Sequence, residues 1–196
     1  MKIPSKSCEL AEFIGILLGD GCVNKDGFIN VTTDDEFYAK NHVLKLFNDL
    51  FGIGHFYRHP KGFFRVQTKS KPMMNFLIYL GLEYGNKLTN GVSIPDWILK
   101  NNDFLRYCLR GFFDSDGSIF KHYKWSSIYF EFKCKSKSII ISLYAGLKLL
   151  GFELTKLEGD RFYIKQRHNR KFINEIGFSH PKHLNRLVKF QSLIPL

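Results

Sequence analysis

Long apolar runs are missing from this 196-residue chain, and nothing in it approaches the ~18 apolar residues that a membrane-crossing helix needs. The opening MKIPSKSCELAEF holds no apolar stretch of the signal-peptide kind, so a soluble protein kept inside the cell is expected. Cysteine is sparse. Cys8, Cys22, Cys108 and Cys134 form no C-x-x-C pair, which argues against zinc and dithiol redox motifs and leaves reduced, partly buried thiols. The seven histidines, among them His55, His59, His180 and His183, show no metal-ligand spacing and are read as phosphate or surface contacts. Acidic residues are short as well: 18 Asp+Glu stand against 29 Lys+Arg, giving a net charge of +11 that points to a polyanionic partner. Residues 1–98 carry +1 of that charge and residues 99–196 carry +10, so the second half should grip phosphates more strongly.

What the chain has in quantity is apolar surface. With 44% apolar residues and 20 Phe it can fill one or two small packed domains, and disorder is not expected. Two stretches organise it: FIGILLGDG from Phe13 to Gly21, and LRGFFDSDG from Leu109 to Gly117. They correspond residue for residue at an offset of 96, Gly15 with Gly111, Asp20 with Asp116, Gly21 with Gly117. One motif repeated at that offset in a chain of this length is a duplication. Small residues four apart (Gly15 and Gly19, Gly111 and Ser115) share one helix face, where two helices can bring their backbones close together. An Asp-Gly at the end of each helix then leaves Asp20 and Asp116 side by side, where the carbonyls of Gly19 and Ser115 and the negative dipole ends also favour a cation.

Between these motifs the chain reads as short alternating elements. Ser7 caps the first motif helix; GCVNKDGFINVTT is a hairpin turning at Lys25-Asp26-Gly27. Asp34-Asp35 precedes a helix from Glu36 to Phe51, with Phe37, Val43, Leu44, Phe47 and Leu50 at helical spacing and Gly52 as its stop. A hairpin about Pro60-Lys61-Gly62, a short helix from Met73 to Leu80 and a turn-rich polar segment to Pro95 follow. Asp96 or a neighbour caps a helix that breaks near Asn101-Asn102 and continues to Asp116. The second half then repeats the pattern. It has a strand over Trp125–Lys135, a helix over Ser136–Leu150, a hairpin of Phe152–Leu157 with Arg161–Arg167, a short helix to Gly177 and a terminal helix over Pro181–Phe190. Outward positions on these strands are polar or basic: Asn30, Thr32, Arg65, Gln67 and Lys69 in one half, Glu131, Lys133, Tyr163, Lys165 and Arg167 in the other. Such side chains suit base edges and phosphates.

The paired motifs resemble those of the LAGLIDADG homing endonucleases, in the single-chain form with two motifs, over nearly the whole chain. Leu18 stands where the motif name has its first Asp; the acidic eighth position is intact in both copies. The resemblance implies an α+β fold, a pseudo-symmetric duplication of an αββαββα unit whose antiparallel sheets form a DNA-binding saddle, with the motif helices packed at the interface. Residues 1–90 would be the first repeat, 91–96 a linker and 97–196 the second. It further implies that Asp20 and Asp116 bind divalent metal and that one chain, as a monomer, makes a staggered cut in double-stranded DNA. Two hard cations, Mg2+ first and Mn2+ or Ca2+ in the same site, suit phosphodiester hydrolysis, with Gly19 and Ser115 carbonyls assisting. By position Lys87, Lys182 and Lys135 would stand around the metals, Asp34 taking the place of Lys135 in the first repeat. The target should be asymmetric and about two helical turns long, ~10 bp each. Because no intein splice junction is evident, a free-standing or intron-borne reading frame is expected. The competing expectations are an RNA maturase or non-cleaving DNA-binding protein on this scaffold, and an unrelated α+β metal enzyme.

Overall fold

Ser7 starts the first helix, its Oγ accepting from Leu10 N at 3.2 Å, and α1 runs Cys8–Leu18. Every residue from Leu10 to Leu18 is buried, as a helix apolar on all sides requires. The computed structural model of the chain describes residues 2–121 and 127–190. In the first half α1 is followed by β1 (Gly21–Val23), β2 (Phe28–Thr33), α2 (Glu36–Tyr38) running through a π turn (Ala39–Val43) into α3 (Leu44–Phe51), β3 (His55–Arg58), β4 (Phe64–Lys69) and α4 (Lys71–Tyr79). The second half has α5 (Asp96–Leu99), α6 (Asn102–Asp116), β5 (Ser118–Lys121), β6 (Ile128–Lys133), α7 (Lys137–Leu149), β7 (Arg161–Ile164), a 3-10 turn (Gln166–His168), α8 (Asn169–Glu175) and α9 (Pro181–Phe190). Two antiparallel sheets result, ordered β1-β2-β4-β3 and β5-β6-β7. Asn101 makes the expected break before the second motif helix: its Oδ1 accepts from Asp103 N and Phe104 N at 2.9 and 3.0 Å, capping α6.

The two motif helices lie against each other through their backbones. A Cβ on Gly15 would sit 2.0 Å from Cys108 O, and one on Gly111 would sit 2.2 Å from Glu12 O. Glycine at both points is therefore what lets α1 and α6 close up. One turn further on, Gly19 faces Ser115, whose Cβ would be 2.5 Å from an added Cβ. The inner sheet faces carry the core. Ile29, Val31 and Val66 fill one side; Phe130, Phe132, Phe162 and Ile164 fill the other, with Phe132 stacked on Phe162 at 5.2 Å. Phe113 of α6 is ringed by Phe130, Phe132, Phe172 and Phe178, centroids 5.0–6.1 Å away.

Several expectations need correction. Phe37, expected on the apolar face of the helix after Asp35, is 65% exposed, while Tyr38 and Ala39 are buried. The π turn at Ala39–Val43 inserts one extra residue per turn and rotates the buried face. The strand expected over Phe152–Leu157 is reduced to isolated bridges, Leu154 with Ile164 and Glu158 with Arg161, so the second sheet has three strands rather than four. Its partner ends at Ile164, and Arg167 lies on the following 3-10 turn instead of on a strand. His180 and His183 are 2% and 0% exposed, not surface or phosphate contacts; His183 Nε2 is 3.1 Å from Phe113 O. Of the strand expected over Trp125–Lys135, the first two residues lie outside the described residues, and β6 begins at Ile128.

Candidate functional site

The parallel ends of α1 and α6 bring Asp20 and Asp116 into one electrostatic neighbourhood. Burial and the Asp116 charge push the Asp20 carboxyl up to about 6, against the pull of Lys182 and Lys87. Asp116 is raised too, by desolvation, although its side chain still opens to solvent. Among the described residues neither carboxylate receives a hydrogen bond or an ion pair. Two like charges held together by close-packed helices, offset only in part by Lys87 and Lys182, are unfavourable, and a cation between them would relieve both.

Two lysines sit over the helix ends. Lys87 Nζ donates to the carbonyls of Leu17 (3.3 Å), Leu18 (3.0 Å) and Gly19, and Lys182 Nζ donates to Ser115 O at 3.0 Å. They meet the unpaired carbonyls and the negative dipole end of each helix. Their influence is crosswise: Lys87, anchored on α1, is the stronger positive charge at Asp116, while Lys182, anchored on α6, is the stronger at Asp20. Each half-site is thus built from both halves of the chain. A cleft of about 360 Å³ opens beside Asp116, lined by Gly19, Lys87, Asp116, Lys133, Cys134 and Lys135. The carbonyls of Gly19 and Ser115, expected to face a metal, are engaged by the lysines.

The outer sheet faces form cross-strand rows. In the first sheet Cys22, Asn30, Gln67 and His55 are aligned, and Thr32 stands opposite Arg65, itself opposite Tyr57. Asn30 is the most covered of these, 8% exposed, with Thr32 Oγ1 donating to its Oδ1 at 3.4 Å. Lys69 is exposed opposite Phe28. In the second sheet Ser118, Glu131 and Tyr163 are aligned and Lys133 faces Arg161. Glu131 lies 3.6 Å from Arg161, while Lys165, Arg167 and His168 converge on Glu153. That convergence holds the Glu153 carboxyl down to about 2 and neutralises part of the charge expected to face outward.

Below the carboxylates is a buried polar cluster that the motif spacing gives no hint of. Glu12, 3% exposed on α1, accepts from Arg110 Nη2 and Nε at 2.7 and 3.1 Å, from Ser179 Oγ at 3.1 Å, and pairs with His42 Nε2 at 2.9 Å. Burial would raise its carboxyl, but His42 and Arg110 draw it below the ordinary range. Asp114, fully buried, accepts from Ser179 N at 2.8 Å through Oδ2 while its Oδ1 has no partner, and burial pushes it up to about 7. Tyr38 stacks on His180 at 4.2 Å beside it. The available signal is a pair of opposite charges in otherwise apolar helices: Glu12 and Arg110 have no reason to lie there unless they answer one another.

No family profile matches the chain. It is 31% identical over 195 residues to a replication factor C small subunit of Methanocaldococcus jannaschii, covering 92% of this chain and 10% of that protein. It is 26% identical over 185 residues to DNA-directed RNA polymerase subunit Rpo1C of the same organism, covering 92% of this chain and 20% of that protein. The chain therefore spans between a tenth and a fifth of the curated relatives it matches. Among solved structures it is similar to I-DmoI in complex with DNA and Mn, with a TM-score of 0.64 and 17% identity over 88% of this chain and 98% of that one. The N-terminal LAGLIDADG domain of DUF199/WhiA matches with a TM-score of 0.59 and 16% identity over 93% of this chain and 89% of that one. At such identities the likeness is one of fold: two antiparallel sheets and paired helices in the LAGLIDADG arrangement.

Proposed function

We propose that the chain is a site-specific DNA endonuclease of the homing type, with two motif repeats at 1–90 and 97–196 joined by residues 91–96 and acting as a monomer. The observation that carries this is the pair of carboxylates, Asp20 and Asp116, without a hydrogen bond or ion pair among the described residues, at the ends of helices packed backbone to backbone. That donor set fits a hard divalent cation such as Mg2+, Mn2+ or Ca2+, which prefers carboxylate and water oxygens. A bound cation supplies an activated water and neutralises charge on the attacking and leaving oxygens. Asp20 and Asp116 hold it; Lys87 caps the end of α1, Lys182 caps that of α6, and both present positive charge to a phosphate. Lys135 lines the cleft beside Asp116, where a phosphate would pass. Asn30, Thr32, Arg65, Gln67 and Lys69, and Glu131, Lys133 and Tyr163, on the outer strand rows, with Lys165 and Arg167 just past the end of β7, lie along the duplex and orient it.

I-DmoI is a homing endonuclease described with DNA and with Mn, Ca or Mg, which supports extending the fold likeness to DNA and divalent ions. A second support is placement. The same unit of about 190 residues lies within a replication factor subunit and an RNA polymerase subunit, whose described roles differ. Recurrence of a similar stretch inside proteins of different described roles fits an element that spreads by insertion. One observation favours a second reading, binding of DNA or RNA without cleavage: the Gly19 and Ser115 carbonyls are already taken by lysines. The test is incubation of the purified chain with Mg2+ and a randomised plasmid library. Discrete double-strand breaks at one sequence support the endonuclease; salt-sensitive retardation of DNA without breaks would support the binding protein instead.

A further inference from the structure

Lys87 and Lys182 reach the two helix ends by different means. Lys87 Nζ is held by three successive carbonyls of α1, and its segment is tied to its own half, with Gly85 N donating to Val23 O at 2.8 Å and Leu82 N to Leu77 O at 3.0 Å. Among the described residues Lys182 Nζ meets one carbonyl, that of Ser115. A long side chain with one such contact is placed by the backbone that carries it. That backbone is fastened by residues from both halves of the chain. Ser179 N donates to Asp114 Oδ2 at 2.8 Å and Ser179 Oγ donates to Glu12 Oε1 at 3.1 Å, so one residue bridges α6 and α1. The ring of His180 lies on that of Tyr38, centroids 4.2 Å apart, and its Nδ1 accepts from Lys182 N at 3.1 Å. Glu12 is itself a fixed point, because Arg110 from α6 and His42 from the π turn hold the same carboxylate. A hydrogen bond to a buried, ionised acceptor is a strong and directional one.

We propose that Ser179 is a positioning residue: its two bonds, to Glu12 and to Asp114, set the start of α9 so that Lys182 reaches the end of α6. The charge of Lys182 acts on both Asp20 and Asp116, so a shift of α9 is felt at both motif carboxylates. Through Glu12 the first repeat thereby places the lysine of the second. The effect on cutting rests on the endonuclease reading; the inference goes beyond it by giving a task to a serine outside both motifs.

The experiment uses the full chain and its library-selected target, with single-turnover cutting in Mg2+, DNA affinity in EDTA, and brief acetylation of lysines read by mass spectrometry. Ser179→Ala leaves Glu12 with Arg110 and His42, so the fold is kept. It should slow cutting by about tenfold, as a small misplacement of a charged group does, while DNA affinity stays within about twofold of wild type. Ser179→Thr keeps the hydroxyl and should cut near the wild-type rate. Lys182→Met should be slow by itself, and adding Ser179→Ala should slow it no further, since a residue that acts through Lys182 has nothing left to act on. Acetylation should reach Lys182 several-fold faster in Ser179→Ala than in wild type, with Lys87 unchanged. Wild-type cutting by Ser179→Ala, an equal further loss in the Lys182→Met background, or unchanged acetylation of Lys182 would overturn the proposal. If the wild type cuts no DNA with Mg2+ or Mn2+, the endonuclease reading itself has failed, and the acetylation rates alone decide whether Ser179 places Lys182.

Discussion

Replacing Asp20 with Asn should stabilise the metal-free protein at neutral pH. Desolvation and Asp116 move the Asp20 carboxyl from its ordinary 3.8 to about 6, so the folded state keeps a proton through a pH range where the unfolded chain has lost it. Bound protons are then more numerous in the native state, and stability falls as pH rises from about 3.8 to 6, staying low above that. The displacement corresponds to about 3 kcal/mol in favour of the neutral group. Solvent still reaches the side chain and screens part of this, leaving about 1–2 kcal/mol. For a domain of this size that is a rise of about 2–8 °C in melting temperature. Thermal melts in EDTA at pH 7.5 and pH 5 would show the Asn variant more stable than wild type at both, with the advantage at pH 5 about half that at pH 7.5. Comparing variants removes the opposite slope from His180 and His183, which burial lowers to about 4 and about 3 and which favour folding as pH rises through that range. Adding Ca2+ should then raise the wild-type melting temperature more than that of the variant. An Asp20→Asn protein that melts at or below wild type at pH 7.5, with no difference in the response to Ca2+, would refute the reasoning.

Three further outcomes are expected. Asp114→Asn removes a buried titratable carboxyl that desolvation raises to about 7, so it should stabilise the fold more at pH 8 than at pH 5, read by denaturant unfolding at both pH values. Gly15→Ala or Gly111→Ala places a methyl inside van der Waals contact with backbone, which should cost about 1–3 kcal/mol or more and disrupt metal-dependent cleavage, measured by unfolding and plasmid cutting. Glu12→Gln leaves Arg110 and His42 without their carboxylate at a largely buried position and should cost about 3 kcal/mol; a chemical denaturation midpoint unchanged from wild type would contradict that cluster's role.

The elements that position the site were legible because they depend on local pattern. Small residues four apart, a doubled Asp-Gly and strand alternation foretold α1, α6, the paired helix ends and the strands β2, β4 and β6. The features that escaped depend on packing between distant segments. The π turn that turns Phe37 outward has no propensity signature, and the failed strand at Phe152–Leu157 keeps strand-like residues but pairs only at isolated bridges. His180 and His183 are buried because Tyr38 and Phe113 from other parts of the chain close over them. Lys87 and Lys182 were placed near the metals by position alone. Their crosswise reach, from one helix end toward the carboxylate of the other half, required the geometry.

Anomalous scattering from crystals of the chain grown with its selected DNA target and Mn2+ bears most directly on the central claim. The account predicts manganese peaks within about 2.5 Å of carboxylate oxygens of both Asp20 and Asp116, next to the scissile phosphates, an upper bound taken from ordinary metal–oxygen distances. Bound DNA with no anomalous density at these two side chains, or density confined to other residues, would contradict it.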